Sequence, residues 1–329
     1  MSSLEQLSVV VVGGIATDIF GLGFERLPGV GELSYGGSLH FGAGGKSRNL
    51  AHMIAALLGR DRVAMIGRTS KDPFSLWRIP MDALEEVGVN CQFIKVLSFE
   101  QTGKFPTVAL IPVDKTGNNQ IYVLPGINEE MPVSLIHESL PAFQAAARNK
   151  GMLALSMELP LHAALASIKQ ANQCGLQVLL DPGGISHSTD ISELLEAEIF
   201  LLKPNEHEAF VLTGVEVHDL RTAQMAAEKL MNKGVHNVII THGLNGAYLV
   251  NKELAIHLSL PSYKGGAEKD ETGCGDQTMA ALCAGLLAGQ SLKDAAKEAI
   301  LAGTMQFYRA GIVPITSEEL TRAREVLVA

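Results

Sequence analysis

Short apolar runs recur along the chain, separated by segments whose apolar positions repeat every three or four residues. Val9–Val12, Val63–Ile66, Leu153–Ser156, Val178–Leu180, Ile199–Leu202 and Val238–Thr241 read as strands. Ser47–Leu58, Leu161–Asn172, Arg221–Asn232 and Leu292–Tyr308 read as helices. In Arg221–Asn232, Ala223, Ala226, Ala227, Leu230 and Met231 share one face, with charged or amide residues opposite. The strand runs are apolar throughout and do not alternate, so both of their faces must be covered. That is the condition of a parallel sheet between helix layers. Repeated strand–helix alternation predicts the doubly wound α/β class, with a mostly parallel sheet.

Two stretches break this rhythm. Residues 18–42 are punctuated by glycines, and residues 93–124 read as alternating strands, Phe105–Val113 and Gln120–Leu124, around the turn signal Asp114-Lys115-Thr116-Gly117. Together they predict a small β-sheet beside the core, suited to act as a lid. No linker, repeat or low-complexity segment divides the chain, so residues 1–329 read as a single domain that includes the lid.

Composition narrows the function classes. Of 329 residues, 47% are apolar and 19% charged, as in a packed globular protein. The net charge of −9 is spread along the chain, which argues against nucleic acid as a partner, because phosphate backbones require a concentrated Lys/Arg face. Cys91, Cys174, Cys274 and Cys283 lie far apart without a C-x-x-C pair, so neither a disulfide framework nor a zinc site is suggested. The opening MSSLEQLSVVVVGG has no basic region before its apolar run, and no apolar stretch reaches the roughly 18 residues of a membrane span. A cytoplasmic location without membrane contact is the expectation. No G-x-G-x-x-G follows the first strand, which speaks against a dinucleotide-dependent dehydrogenase.

The chemistry concentrates in Asp270-Glu271-Thr272-Gly273-Cys274-Gly275-Asp276, which precedes the helix-compatible QTMAALCAGLLAG. Two glycines around a small residue allow backbone N–H groups to converge at a helix N-terminus, where the dipole also favours negative charge. Such a cradle can hold a phosphoryl group through its transition state. Asp276, at the same helix start, can accept the proton of an attacking hydroxyl. A plain N-cap after a glycine turn is the alternative reading. Asn205-Glu206-His207-Glu208 follows the strand Ile199–Leu202, where ligands of open α/β sheets bind. An oxygen ligand there can hold a water-rich Mg²⁺, although a helix-start Asn with a first-turn Glu has the same spelling. Lys46 and Arg48 can be ordinary solvated charges at a helix start, but Lys46 directly follows a glycine pair and is placed to reach a hydroxyl or phosphate.

The Asp270–Asp276 run resembles the C-terminal signature of the PfkB-type, ribokinase-like carbohydrate kinases, with Cys274 in the position of an alanine. Gly44-Gly45-Lys46-Ser47-Arg48-Asn49-Leu50-Ala51 resembles the family's N-terminal signature, more than two hundred residues earlier and in the expected order. The resemblance runs over roughly residues 8 to 315. It implies an ATP-dependent kinase with Asp276 as base and Gly273, Cys274 and Gly275 as the anion hole. It further implies that Asp18, Gly45, Lys46, Asn49 and Glu158 hold a sugar, and that Asn205, Thr241, Gly243, Gly246 and Thr272 hold nucleotide. Glu208 and Asn205 would place Mg²⁺ through water. Many relatives bind K⁺ beside the loop, where Asp270 and Thr272 are possible ligands. Glu271, Cys274 and Gln277 depart from the usual residues, and Ile300 stands where some ribokinases have Asn.

A phosphorylated sugar would need several cations near the lid, where residues 18–45 offer only Arg26, with Lys46, Arg48 and Lys104 near in sequence. A neutral sugar or polyol is therefore favoured over a sugar phosphate. A nucleoside kinase of the same fold remains an alternative, with Phe20, Phe24 and Phe41 as possible base-stacking residues, and so does a non-catalytic sugar-binding regulator. Exposed lid edges seek partners, which suggests a homodimer.

Overall fold

A computed structural model describes residues 4–185, 189–266 and 269–328; the other positions of the chain lie outside the described residues. The strands are β1 Val9–Val12, β2 Ala16–Phe24, β3 Ser38–Gly44, β4 Val63–Lys71, β5 Ile94–Ser98, β6 Thr107–Asp114, β7 Tyr122–Leu124, β8 Met152–Ser156, β9 Gln177–Asp181, β10 Ile199–Leu202, β11 Val235–Thr241, β12 Ala247–Asn251 and β13 Ala255–Leu258. Nine of them form one sheet in the order β13-β12-β11-β10-β9-β8-β1-β4-β5. From β11 to β5 every neighbouring pair is parallel. Only β12 runs against its neighbours.

The four valines of β1 show why the apolar runs do not alternate. Val10 and Val12 enter one hydrophobic core, Val9 and Val11 the other, so each face of the sheet has its own helix layer. Each of the six strands expected in the large sheet lies within an observed one, whereas Phe105–Val113 and Gln120–Leu124 start two residues before the observed Thr107–Asp114 and Tyr122–Leu124. The expected helices are found as Lys46–Leu58, Leu161–Gln173, Leu220–Met231 and Leu292–Phe307. β12 and β13 carry no separate signal in the pattern, because they are short, β12 directly after Gly246 and β13 after the tight turn at Lys252 and Glu253.

The chain leaves β1 for β4 on one side and later builds β8, β9, β10 and β11 outward on the other. This reversal opens a crevice at the carboxyl ends of the strands, the usual place for a ligand in such sheets.

A second sheet, β3-β2-β6-β7, forms the small accessory layer. Residues 94–98, read above as part of the lid, belong instead to the large sheet. There β5 pairs with β4 from Gly67↔Ile94 to Lys71↔Ser98, because Ile94 is buried in the core. In the small sheet Asp18 lies opposite Gly42, while Ile19 lies opposite Phe41 and Leu110. Side chains alternate across a strand, so Asp18 and Phe20 share one face, and Ile19, Phe41 and Leu110 share the other.

Candidate active site

A cavity of about 460 Å³ opens at the carboxyl ends of β9, β10 and β11. Its walls bring together Lys46, Asn205, Glu208, Thr241, Gly243, Gly246 and the Gly273–Asp276 loop from widely separated parts of the chain. Ile300, Thr304 and Phe307 line its more apolar part. Asp18, Gly45, Asn49 and Glu158 adjoin this cavity without lining it, and Asp270 and Thr272 lie behind the loop.

The helix Cys274–Leu287 begins at Gly273, whose φ of 76° is left-handed. A Cβ there would stand 2.7 Å from Ile312 Cδ1 and 3.1 Å from Met53, so glycine is required both by conformation and by space. The Cys274 N–H is already bonded to the Glu271 carbonyl at 3.3 Å. Of the three residues Gly273, Cys274 and Gly275, Cys274 therefore has its N–H engaged, whereas Gly275 and the following Asp276 are first-turn positions whose N–H groups have no partner within the helix. Burial pushes the Cys274 thiol up to about 12, with Asp270 and Glu271 adding to the shift, so it stays neutral beside an incoming anion. Asp276 is buried, and its Oδ2 accepts a hydrogen bond from Asn49 Nδ2 at 2.9 Å.

The residues around Asn49 form the second half of the site. Gly45 caps the helix Lys46–Leu58. A Cβ on Gly44 would lie 2.0 Å from Asp18 Oδ1, so the glycine leaves room for that carboxylate. The Lys46 N–H donates to Glu158 Oε2 at 2.7 Å. The Lys46 amine is held above the usual lysine range by Asp276 foremost and by Asp181, Glu158 and Glu208, against the opposing pull of burial. Arg48 is no solvated charge: it is 1% exposed. Its guanidinium bonds the carbonyls of Ala43 and Gly44, His52 Nδ1 at 2.9 Å and Asn49 Oδ1 at 2.5 Å. Burial lowers Arg48 to about 10 and, with Arg48 beside it, His52 to about 4. Arg48 thus fixes the orientation of the Asn49 amide, which in turn holds Asp276.

Burial raises Asp18 to about 6, although Arg48 pulls it down. A carboxylate accepts hydroxyl hydrogens more strongly than a carboxylic acid does, and Asp18 gains its proton as pH falls through about 6. The acceptor KM is therefore expected to rise between pH 7.5 and pH 5 while kcat changes less. Asp18→Asn should flatten that profile. An acceptor KM constant over this range in the wild-type chain would remove Asp18 from sugar binding.

Asn205 and Glu208 form a reciprocal helix cap. Asn205 Oδ1 accepts the Glu208 N–H at 2.7 Å, and Glu208 Oε2 accepts the Asn205 N–H at 2.9 Å. The cap uses only one carboxylate oxygen, and Glu208 also lines the cavity with Oε1 outside the cap. Burial raises Glu208, as does the nearby Asp181. Lys46 and Lys203 face Glu158, Asp181, Glu208 and Asp276 across this region, an excess of carboxylates over ammonium groups. Among the described residues no three of these side chains converge to hold a metal directly, so the surplus of negative charge fits a divalent cation held through water.

The K⁺ expectation meets a different donor set. Asp270 Oδ1 accepts the Thr272 N–H at 2.8 Å, and Asp270 Oδ2 accepts the Gly311 N–H at 2.7 Å. The Thr272 carbonyl accepts Gln306 Nε2 at 3.4 Å. K⁺ is held by oxygens converging on an open centre. Here the buried Gln306 amide lies between the Thr272 and Gly311 carbonyls and fills the point on which they would converge, so the residues present do not fit the ion.

Lys203 and Asp181 are site residues that the motifs did not mark. They form a buried pair, Nζ to Oδ2 at 2.8 Å. Burial would raise Asp181, but Lys203, Lys46 and the Gly183 N–H outweigh it and hold the carboxyl below its usual value. The available signal was a lysine directly after the fully apolar strand β10, at the end where ligands bind.

A parallel-sheet crevice, a glycine cradle at a helix start and a buried carboxylate beside it define a phosphotransferase acting on an alcohol group. The chain belongs to the pfkB family of carbohydrate kinases, whose pattern matches residues 6–314. It is 29% identical over 314 residues to a ribokinase of Schizosaccharomyces pombe, covering 93% of each chain. It is 26% identical over 295 residues to a deoxyribokinase of Salmonella typhi, covering 90% of each. Arabidopsis thaliana ribokinase, solved with ribose and ATP, aligns with a TM-score of 0.84 at 25% identity, over 96% of this chain and 98% of that one.

Proposed function

We propose that this chain transfers the terminal phosphoryl group of ATP to a hydroxyl of a neutral, pentose-like sugar. The observation that carries the reading is the 2.9 Å bond from Asn49 Nδ2 to Asp276 Oδ2, which joins the two signature loops at one buried carboxylate. Asp276 takes the proton of the attacking hydroxyl at its other oxygen, Oδ1. The Gly275 and Asp276 N–H groups stabilise the charge on the transferring group, and the helix dipole adds to their effect. Asp18, Lys46, Asn49 and Glu158 orient the sugar, while Thr241, Gly243 and Gly246 border the nucleotide. A bound Mg²⁺ would supply positive charge to the phosphates. Glu208 Oε1 would hold it through water, with Asn205 fixing Glu208. Glu208→Gln is expected to raise the Mg²⁺ concentration for half-maximal rate several-fold while leaving the sugar KM near its wild-type value. Mg²⁺ titration at saturating sugar reads this, and an unchanged midpoint and kcat would exclude the role.

A neutral acceptor is favoured because, Lys46 apart, the cations near the small sheet are committed. Arg26 pairs with Glu32 at 2.5 Å, Lys104 pairs with Glu130, and Arg48 is buried on carbonyls. For a nucleoside the stacking candidates divide, with Phe20 on the face of Asp18 and Phe41 on the opposite face of the small sheet. That face also exposes Leu39, Leu110, Tyr122 and Leu124, an apolar surface suited to a second copy of the chain. Sedimentation at micromolar concentration reads the dimer. The deciding experiment for the function is an ADP-release screen over ribose, deoxyribose, other sugars, polyols, sugar phosphates and nucleosides, with the phosphorylated position assigned by phosphorus NMR. Best turnover of a nucleoside or a sugar phosphate would overturn the neutral-sugar reading, and ADP release with no acceptor would overturn the kinase role assigned to Asp276.

A further inference from the structure

Gln306 lies in the last turn of the helix Leu292–Phe307 and is 0% exposed. Its Nε2 donates to the Gly311 carbonyl at 2.7 Å and to the Thr272 carbonyl at 3.4 Å. Asp270 spans the same gap from the other side, accepting the N–H groups of Thr272 and Gly311. Two segments far apart in sequence, the loop before Asp276 and the turn after the helix, are therefore tied by one carboxylate and one amide. The Gln306 amide sits beneath the start of the Asp276 helix, since a Cβ built on Gly273 would stand 3.9 Å from Nε2.

We infer that the Gln306 amide takes the place of a monovalent cation in this chain, so that its anion-binding loop is assembled and its kinase reaction runs without K⁺. A cation at this point would draw together the Thr272 and Gly311 carbonyls and the Asp270 carboxylate. An amide NH₂ does the same, because its two hydrogens carry partial positive charge toward acceptors that would otherwise repel one another. It also fills the space, because a buried side chain cannot share its volume with an ion. The orientation of the amide follows from its surroundings: turned over, Oε1 would face two carbonyl oxygens. Oε1 has no hydrogen-bond partner among the described residues, so the Nε2 bonds alone set the orientation. A second amide strengthens the link, with Gln277 Oε1 accepting the Ile315 N–H at 3.0 Å.

The inference rests on the kinase reading only where turnover is measured, so a binding measurement runs beside it. Sugar phosphorylation is compared in potassium chloride and in tetramethylammonium chloride at equal ionic strength. The wild-type rates should agree within about fivefold, the low end of ordinary coupling between two sites. Gln306→Ala, which frees both carbonyls, should lose more than about fivefold in tetramethylammonium and recover in K⁺. Independently of any sugar, thallium-205 NMR of the wild-type protein with Tl⁺ should show only free ion, and K⁺ should not raise its melting temperature. Wild-type activation by K⁺ beyond that factor, a bound Tl⁺ resonance, or a folded Gln306→Ala indifferent to K⁺ would each overturn the proposal. If Gln306→Ala does not fold, the wild-type rates and the Tl⁺ spectrum decide alone.

Discussion

Asp276→Asn is expected to lower kcat by about 10²–10⁴, the usual contribution of a positioned general base. The amide is nearly isosteric with the carboxylate and the position is already buried, so the fold should persist. Substrate KM values should change far less than kcat, because the lost interaction is the proton transfer in the transition state. One side effect follows from the bond to Asn49. Arg48 holds the Asn49 carbonyl oxygen, so Asn49 can present only its NH₂ toward position 276. The new amide must turn its own oxygen to that donor and its NH₂ toward the acceptor hydroxyl, the wrong polarity for a base. Steady-state kinetics with the sugar identified by the screen reads the effect. A variant that keeps more than half of the wild-type kcat would remove Asp276 from the chemistry.

Lys203→Met should destabilise the fold by about 3–5 kcal/mol, the range found when one partner of a buried ion pair is removed. Lys203 and Asp181 bury side chains that are 3% and 9% exposed, so the stranded Asp181 carboxylate cannot recover its hydration. The loss should lie toward the lower end, because Lys46 still reaches Asp181. The pH dependence has a definite sign. In the wild type the Asp181 carboxyl is lower in the folded chain than its ordinary 3.8, so its contribution is complete above that value and is lost as pH falls through the folded value. In Lys203→Met burial acts on Asp181 with less opposition, the carboxyl shifts upward, and protonation relieves the stranded charge. The deficit relative to wild type should therefore shrink as pH is lowered from neutral. Urea unfolding at pH 7.5 and pH 5 measures both effects. A deficit below about 1 kcal/mol at neutral pH would place the pair in the class of solvent-screened surface bridges.

Six of the nine strands of the large sheet were legible because their code is local. A strand covered on both faces must be apolar at every position, and a helix must repeat its apolar positions every three or four residues. Val9–Val12 and Ile199–Leu202 coincide with β1 and β10 for that reason. The glycine turn that opens the Asp276 helix was legible too, since its geometry depends on contiguous residues: a left-handed Gly273, a small Cys274 and Asp276 in the first helical turn. The lid was read less well. Ile94–Ser98 has the composition of an edge strand of either sheet, and only its hydrogen bonding to β4 assigns it to the large one.

The charges divide in the same way. The sequence by itself determined which residues carry charge near the glycine loops, and the order of those loops along the chain. It could not determine how deeply each charge is buried or what answers it, because burial and pairing are set by residues far away in the chain. Arg48 reads as a solvated helix-start cation until β2, β3 and the helix it heads close over it. Lys203 reads as a residue after a strand until Asp181, from the adjacent strand, comes within 2.8 Å. Gln306 reads as an ordinary helix residue until the turn at Gly311 folds back and brings a carbonyl to its amide. The sequence dictates the elements and the reactive groups; the tertiary structure decides their solvation and their partners, and these fix how each group acts.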